Sequence, residues 1–299
     1  MEITYDYYRI FYYVARYKSF SRAAEILMSN QPNITRYMNN LEHQLGCRLF
    51  IRSNRGVSLT TEGEKLYAHV IIAYNHLHTA ELELAGDAGL QNGIITVGTS
   101  ETALYGIFLE ILQQFHTAYP GIRLHILSYS TPQAIGALKK GLIDMAVITS
   151  PASLQKPLKQ TVLKYYHEMM ICGPQYDFLA QKPYHLSELT TYPLISLVRD
   201  TSTYTFYSRL YMQQNLIFEP EIEAATASQI LPMIENGLGI GFIPQSLGQT
   251  PLSENKILKI SLLEEIPARE IILAEDTSRP MSIAANALSA MLRNHASPI

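Results

Sequence analysis

The chain has 299 residues, of which 47% are hydrophobic and 16% are charged, with a formal net charge of −3. This composition is typical of a globular protein and excludes a disordered or collagen-like chain. The length predicts two or three domains. There is no signal-peptide layout and no apolar run near the roughly 18 to 20 residues that span a bilayer, which predicts a cytoplasmic protein without a membrane partner. The two cysteines, Cys47 and Cys172, form no disulfide or metal pattern, so no metal or cofactor is expected.

The net charge divides unevenly along the chain. Residues 1–66 contain nine Lys or Arg and six Asp or Glu, a net charge of +3, whereas the remainder contains 14 and 20, a net charge of −6. A basic head on an acidic body is the distribution expected when one domain contacts a polyanion.

Three helices are predicted in the head. A first amphipathic helix, ending near Lys18, is predicted by the helical spacing of Tyr8, Phe11, Tyr12 and Ala15. Ser21 is the predicted N-cap of a short second helix, whose buried face is Ala23, Ala24 and Leu27. Pro32 falls in the first turn of the third helix, and Gly46 ends it. The apolar face of the third helix comprises Ile34, Met38, Leu41 and Leu45.

The opposite face of the third helix is polar. It consists of Gln31, Asn33, Thr35, Arg36, Asn39 and Asn40. In the major groove, Gln and Asn suit adenine and Arg suits guanine, and all of them can bind phosphates. Two helices joined by a tight turn, the second polar on its outer face, are typical of a helix-turn-helix. The alternative is a solvated helix, because Asn, Gln and Thr are common on protein surfaces.

Residues 50–59 predict a short β-hairpin with Asn54, Arg55 and Gly56 at its tip. Arg52 and Arg55 on such a hairpin would form a wing against the DNA backbone or minor groove. The helix and the wing together favour DNA binding over the surface-helix alternative.

A long helix follows, with Thr61 and Glu64 at the spacing of a capping box. Its apolar residues alternate in steps of four and three, namely Leu66, Val70, Ala73, Leu77, Ala80 and Leu84. This heptad pattern favours a dimerising helix, because a helix-turn-helix that binds two half-sites needs a two-fold symmetric protein. The alternative is a helix packed on the core of its own chain.

The stretch from Phe11 to Gly63 resembles the winged helix-turn-helix of LysR-type transcriptional regulators. The resemblance rests on Ser19-Phe20-Ser21-Arg22-Ala23-Ala24, Gln31-Pro32, Leu41-Glu42, Leu45-Gly46, Leu49-Phe50, Arg52 and Leu59-Thr60-Thr61-Glu62-Gly63. It implies a double-stranded DNA operator as partner. The predicted DNA-binding residues are Ser21, Arg22, Gln31, Asn33, Thr35, Arg36, Asn39, Arg52 and Arg55. Asn30, Asn33 and Thr35 depart from the family's usual residues at the DNA face, which leaves the operator sequence open.

After a Gly-rich hinge at 86–93, strands and helices alternate in two similar rounds. In the first round, strands at 94–97, 122–127 and 143–148 enclose helices at 103–119 and 132–140. In the second, strands at 193–198, 221–224 and 239–243 enclose helices at 204–215 and 228–235. Each round predicts a parallel sheet with helices on its faces, and two rounds predict two lobes with a cleft between them.

Hydroxyl residues follow the strands and precede the helices in both lobes, where ligands of such sheets bind. The predicted effector-binding residues are Thr99, Ser100, Glu101, Thr102, Ser130, Thr131, Thr149, Thr201, Ser202, Thr203 and Thr226. They favour a small polar ligand with a carboxylate, and Glu101 argues that the ligand is not purely anionic. The alternative is that these hydroxyl groups only cap helices.

The resemblance to LysR-type regulators extends over the whole chain. It implies an α/β multidomain fold with a winged helix-turn-helix at 1–60, a linker and dimerisation helix at 61–88, and a two-lobed, periplasmic-binding-protein-like effector domain at 91–299. Lobe I is predicted at about 91–162 and 268–299, and lobe II at about 163–267. The resemblance also implies a homodimer through the linker helix, assembly into a homotetramer, and RNA polymerase as a further partner to consider.

Enzyme motifs are incomplete, so no catalytic residue is predicted. The run 98–102 approaches a nucleophile elbow but has Thr where the final Gly belongs. The Gly-rich run 237–241 follows a helix and opens a strand, the reverse of a dinucleotide-binding loop. The prediction is therefore a regulator whose operator binding is modulated by an effector. The alternative is a small-molecule-binding module or enzyme with a helical dimerisation head.

Overall fold

The computed structural model describes residues 3–53, 56–84 and 92–296. The chain divides into two compact units, one ending at residue 87 and the other beginning at 88. Within the described ranges, no helix combines the length and apolar character that a membrane span requires.

The described residues of the first unit form four helices and a hairpin. Its elements are α1 (Tyr5–Tyr17), α2 (Phe20–Ile26), α3 (Gln31–Leu45), β1 (Phe50–Ser53), β2 (Gly56–Leu59) and α4 (Thr61–Leu84). Phe11, Ile34, Met38 and Leu41 are almost fully buried and form the centre of its core. The two strands pair antiparallel, with Phe50 opposite Leu59. The predicted winged helix-turn-helix is confirmed.

Two predicted N-caps are one or two residues too late. Ser19, not Ser21, caps α2, because Ser19 has extended backbone angles and its side chain accepts the N–H of Arg22 at 3.2 Å. Thr60, not Thr61, caps α4, because its Oγ1 accepts the N–H of Gly63 at 3.0 Å. The same hydroxyl donates to the carbonyl of Arg48 at 2.7 Å, which fastens the start of α4 to the segment before β1.

The predicted apolar face of α3 is correct except at its end. Leu45 is 37% exposed, whereas Glu42 is only 8% exposed. The carboxylate of Glu42 accepts the N–H groups of Leu49 at 2.7 Å and of Phe50 at 3.1 Å. A charged side chain therefore replaces the last apolar contact and holds the hairpin on the helix.

The heptad pattern of α4 divides between two environments. Val70 is buried in the core of the first unit, and the ring of Tyr74 stacks on Tyr12 of α1 at 4.0 Å between centroids. Ala73, Leu77 and Ala80 are exposed. The packing of α4 on its own chain thus accounts for part of the pattern, and a row of apolar residues remains at the surface.

The second unit, over residues 92–296, contains two five-stranded sheets. The sheet of lobe I has β3 (Gly93–Thr99), β4 (Ile122–Ser128), β5 (Met145–Thr149), β6 (Leu158–Tyr166) and β12 (Arg269–Asp276) in the order β4-β3-β5-β12-β6. The sheet of lobe II has β7 (Glu168–Cys172), β8 (Leu194–Leu197), β9 (Ile222–Ala224), β10 (Ile240–Pro244) and β11 (Leu258–Ile260) in the order β11-β7-β10-β8-β9.

Helices connect and cover these sheets. Lobe I has α5 (Glu101–Ala103), a π-helical turn (Leu104–Phe108), α6 (Leu109–Ala118), α7 (Thr131–Lys139) and α11 (Ile283–Asn294). Lobe II has α8 (Ser202–Gln213), α9 (Ala227–Glu235) and α10 (Gln245–Ser253), with short 3-10 turns at Pro174–Ala180 and Leu186–Leu189. The predicted helix at 103–119 therefore begins two residues earlier and contains a π-helical turn, a feature often found near functional sites.

The strands predicted in each round are parallel to one another, as expected, but both sheets also contain an antiparallel strand that the alternation does not predict. β3 runs parallel to β4 and β5, but β12 runs antiparallel to β5 and β6. In lobe II, β8 is parallel to β9 and β10, but β7 is antiparallel to β10 and β11. The reversed strands are β7 and β12, which are the first strands after the two passages between the lobes, from β6 to β7 and from β11 to β12. Because β6 stays in the lobe I sheet as far as Tyr166, the predicted lobe boundary near 162 falls inside a strand.

Candidate DNA-binding face and effector cleft

The polar face of α3 is set by its start and its buried side. Asn30 caps the helix, since its Oδ1 accepts the N–H of Asn33 at 2.9 Å. Ile34, Met38 and Leu41 turn inward, so the opposite side faces solvent. A shallow surface depression is lined by Gln31, Pro32, Thr35, Arg36, Asn39 and Asn40. Four predicted DNA-binding residues therefore lie together on α3.

The hairpin and α2 contact this face through two hydrogen bonds. Ser21 Oγ donates to Gln31 Oε1 at 3.0 Å, and Arg52 Nη2 donates to Asn39 Oδ1 at 3.1 Å. The guanidinium of Arg52 also lies 4.4 Å from the ring centroid of Phe20. Arg52 is thus held next to α3 while its side chain stays at the surface.

The remaining predicted residues are placed differently. Arg22 forms an exposed ion pair with Glu25 at 2.6 Å on α2. Asn33 is half-buried, and its backbone N–H is used by the cap of α3. Arg55 lies outside the described residues. Among the described residues, neither Arg36 nor Arg52 has a carboxylate at ion-pair distance, so both positive charges are available to a polyanion.

A cavity of about 320 Å³ lies between the two lobes of the second unit. Ten of the eleven predicted effector-binding residues line it, namely Ser100, Glu101, Thr102, Ser130, Thr131, Thr149, Thr201, Ser202, Thr203 and Thr226. Thr99 does not, because it is buried and its hydroxyl donates to the carbonyl of Ser100 at 3.1 Å. The cavity also has lining residues outside that prediction, which are Ser128, Tyr129, Gln133, Leu197, Val198, Asp200, Ala225 and Ala227.

The hydroxyl groups of this cavity differ in their freedom to bind a ligand. Thr131 Oγ1 donates to the carbonyl of Thr149 at 2.9 Å and accepts its N–H at 3.3 Å. Thr201 Oγ1 donates to the carbonyl of Val198 at 2.9 Å and accepts the N–H of Tyr204 at 3.1 Å. Each of these two hydroxyls already donates its hydrogen to a backbone carbonyl, so neither can donate it to a ligand.

Thr149 and Thr203 both accept hydrogen bonds from Arg269. Arg269 Nη2 donates to Thr203 Oγ1 at 3.1 Å and to Thr149 Oγ1 at 3.4 Å. Because an arginine can only donate, each hydroxyl acts as the acceptor in this pair. The hydroxyl of Thr203 keeps its hydrogen for another partner, whereas the hydroxyl of Thr149 also interacts with the phenol of Tyr166. One hydroxyl comes from lobe I and the other from lobe II, so a single guanidinium contacts both sides of the cleft.

Arg269 is also half of a buried ion pair beneath the cleft. Its Nη1 lies 2.6 Å from Glu168 Oε1, and both side chains are 1% exposed. Its Nε donates to the carbonyl of Ser150 at 2.9 Å. Arg269 begins β12 and Glu168 begins β7, so the pair joins the two places where the chain passes between the lobes. Burial raises the pKa of the neighbouring phenols of Tyr166 and Tyr207, which keeps both protonated.

The sequence misses this pair because nothing local marks it. Glu168 and Arg269 are 101 residues apart, and an isolated charge at the start of an apolar strand is indistinguishable in the sequence from a surface residue. Asp200, an exposed residue lining the cavity, is missed for a similar reason, because it lies in the turn before α8 and not at a helix N-cap.

Two family models match the chain. The bacterial regulatory helix-turn-helix protein model of the lysR family matches residues 5–64, and the LysR substrate binding domain model matches residues 88–297. The match with the transcriptional regulator YdcI of Escherichia coli is 31% identical over 183 residues and covers 61% of this chain and 59% of that relative. The match with the transcriptional regulator YofA of Bacillus velezensis is 27% identical over 238 residues and covers 80% of each.

The fold is also that of a solved regulator. Full-length CbnR complexed with its target DNA superposes with a TM-score of 0.74 at 16% identity, covering 98% of this chain and all of CbnR. At that identity the likeness shows the fold alone. The substrate-binding model covers more than half of the chain by itself. The chain therefore belongs to the LysR family and is a DNA-binding transcriptional regulator with an effector-binding domain, not an enzyme.

Proposed function

We propose that this regulator responds to a small polar effector that bears a carboxylate and binds in the cavity between the lobes. The observation that carries the proposal is the convergence of hydroxyl groups from both lobes on one cavity of about 320 Å³. The first residues of α7, α8 and α9 also line it, and helix N-termini favour anions because their first N–H groups have no intrahelical partner. Thr203 supplies a hydroxyl donor from the wall of lobe II.

In the first unit, α3 enters the major groove. Gln31, Thr35, Arg36 and Asn39 contact bases or phosphates, and Arg52 of the hairpin contacts the DNA backbone. The proposal is supported because the four residues of α3 line one surface depression and Arg52 is hydrogen-bonded to Asn39 at its edge. Among the described residues, neither Arg36 nor Arg52 has a carboxylate at ion-pair distance. This role extends to Ser21, Arg22 and Asn33, which lie on or beside the same face, and to Arg55.

Two copies of the chain bind two operator half-sites. Dimerisation occurs through the exposed apolar residues of α4, and dimers pair into a tetramer that acts on transcription by RNA polymerase. Effector binding favours one placement of the lobes and thereby shifts the population of DNA-binding arrangements. The buried pair Arg269 and Glu168 supports this coupling, because it joins both passages between the lobes.

DNA binding is tested with genomic fragments at two salt concentrations and with R36A. Phosphate contacts predict a steep loss of affinity with salt. R36A should weaken operator binding by about 1 to 3 kcal/mol at constant salt if Arg36 reaches a base. R199A is the matched control, because Arg199 is an exposed arginine of lobe II. Equal affinities of R36A and wild type would remove Arg36 from the interface.

Effector binding is tested by a thermal-shift screen of small carboxylates, followed by footprinting on the operator fragment. Compounds that raise the melting temperature should change the operator affinity or the footprint. T203V removes a donor and should abolish the response, whereas T203S keeps the hydroxyl and should preserve it. Saturation that leaves affinity, footprint and transcription unchanged contradicts the coupling.

A further inference from the structure

The N-terminus of α9 is occupied by a side chain from the other lobe. Glu101 of lobe I points across the cavity, and its Oε2 accepts the backbone N–H of Ser228 at 2.9 Å. Ser228 is the second residue of α9, where the N–H has no intrahelical acceptor. Gln229 Oε1 accepts the N–H groups of Ala225 at 2.9 Å and of Thr226 at 3.3 Å, just before the helix. The start of α9 is thus capped partly from within and partly by Glu101.

The charges around the cavity leave Glu101 without a cationic partner. Glu101 and Asp200 are its two carboxylates, and none of the described residues that line it is Lys, Arg or His. Glu101 forms no ion pair among the described residues, so the N–H of Ser228 is its hydrogen-bond donor and the dipole of α9 the nearby positive end. A second anion at this position would meet a like charge and an N–H that is already used.

We propose that the Glu101 carboxylate serves as the anion at the N-terminus of α9 and thereby determines which effectors the cavity accepts. It takes the place that an anionic group of the effector would otherwise occupy at this helix. The end of the cavity next to α9 therefore accepts a hydrogen-bond donor, an amine or a hydroxyl, and the anionic group of the effector lies toward α7 or α8. This inference rests on the proposed function, since it specifies the orientation of the effector in that cavity.

A ligand class follows from this arrangement. An effector with one anionic group and an amine or hydroxyl at its other end can engage hydroxyl donors on one side and the Glu101 carboxylate on the other. A compound with anionic groups at both ends must break the bond between Glu101 and Ser228 and place two like charges side by side. Glu101 thus excludes such compounds by repulsion as well as by occupancy.

Hydrogen exchange of the full-length protein with inorganic phosphate as the probe tests this role. In E101A the amide of Ser228 loses its acceptor, so peptides covering 226–231 should exchange about two- to five-fold faster than in the wild type. Phosphate should restore their protection in E101A and leave it unchanged in the wild type. E101Q keeps an oxygen of the same reach without the charge and should give intermediate protection.

E110A is the matched control, because Glu110 is an exposed glutamate of α6 in the same lobe. It should leave the exchange of 226–231 unchanged, and peptides of the buried strand β5 report whether each variant is folded. Equal exchange in E101A and wild type overturns the proposal, and so does faster exchange in E101A that phosphate does not reverse. If instead the exchange results hold but no carboxylate changes operator binding, the proposed effector response fails and the role of Glu101 in capping α9 stands.

Discussion

Glu42 shows how one buried carboxylate can position the hairpin beside the DNA-binding helix. Its Oε1 accepts two backbone N–H groups at the start of β1, and Arg48 Nη1 lies 3.8 Å from its Oε2. A glutamate within a helix is ordinarily a surface residue, since charged side chains are rarely buried unless they are paired. The signal that identifies its role is the pair of hydrogen bonds to the hairpin, which only the folded chain contains.

We expect E42A to lower the free energy of unfolding of the first unit by about 2 to 4 kcal/mol, because it leaves two buried N–H groups without an acceptor. Urea denaturation measures the change. E25A is the control, because Glu25 is exposed and its ion pair with Arg22 lies on the same helix, so its loss should cost less than about 1 kcal/mol. A similar small loss for both variants would show that Glu42 does not hold the hairpin.

The reactivity of the Cys172 thiol is expected to depend on pH. Burial, together with the nearby charge of Asp177, raises the pKa of its thiol to about 11. The reactive thiolate is therefore scarce at pH 8 in the folded protein and increases as the pH approaches 11. In a C47S variant, alkylation by iodoacetamide at pH 8 should be more than about tenfold slower in the native state than in urea. Equal rates in both states would contradict the shift.

At the scale of secondary structure, the two serines around the start of α2 form a matched pair. S19A removes the side chain that caps the helix and should cost about 1 kcal/mol of stability. S21A changes an exposed residue within the helix and should cost less than about 0.5 kcal/mol. Urea denaturation of both variants measures the difference. A larger loss for S21A would restore the sequence-based assignment of the cap.

Local patterns predict much of this fold, and long-range partners explain the rest. The helices of the first unit follow from apolar periodicity, because each has one face in a common core. Their first residues are harder to predict, since neighbouring hydroxyl residues such as Thr60 and Thr61 compete for the cap. The antiparallel directions of β7 and β12 depend on the two passages between the lobes. Strand β6 pairs with β12, about a hundred residues later, and no local pattern encodes that pairing.

The candidate cleft is more predictable than the pair beneath it. Residues after parallel strands and before helices must lie at one edge of a sheet, so the hydroxyl pattern locates both walls. Thr99 is an exception because its side chain is buried and its hydroxyl donates to the carbonyl of Ser100. The bond from Glu101 to Ser228 joins residues 127 apart, and only the relative placement of the lobes brings them together.

At the scale of the whole effector-binding unit, the Arg269 and Glu168 pair is predicted to stabilise the junction between the lobes. R269M leaves Glu168 buried without a partner and should cost about 3 to 5 kcal/mol. R269M combined with E168M removes both charges and should recover most of that loss, since a buried pair is often replaceable by apolar residues of similar volume. Urea denaturation, together with hydrogen exchange of β5 peptides, measures the stability of the single and the double variant. A double variant as unstable as the single one would contradict the pairing.

Oligomer formation through α4 is a prediction about the whole molecule. Leu77 is 46% exposed, and Ala73 and Ala80, which lie on the same heptad seam, are exposed as well. In the proposed dimer these residues lose their exposure to water, which stabilises the interface by about 25 cal/mol for each Å² of apolar surface buried. L77E places a charge in that contact. Sedimentation velocity should therefore show a mass at most half that of the wild type.

N75E is the control for this experiment, because Asn75 is an exposed residue of the same helix outside the heptad pattern. N75E should keep the mass of the wild type. L77E should also weaken operator binding, since separate heads no longer bind two half-sites as one unit and lose the advantage of effective concentration. Its heads keep Arg36 and Arg52, so nonspecific binding at low salt should persist. An L77E protein that keeps both the mass and the operator affinity of the wild type would exclude α4 as the dimerising helix.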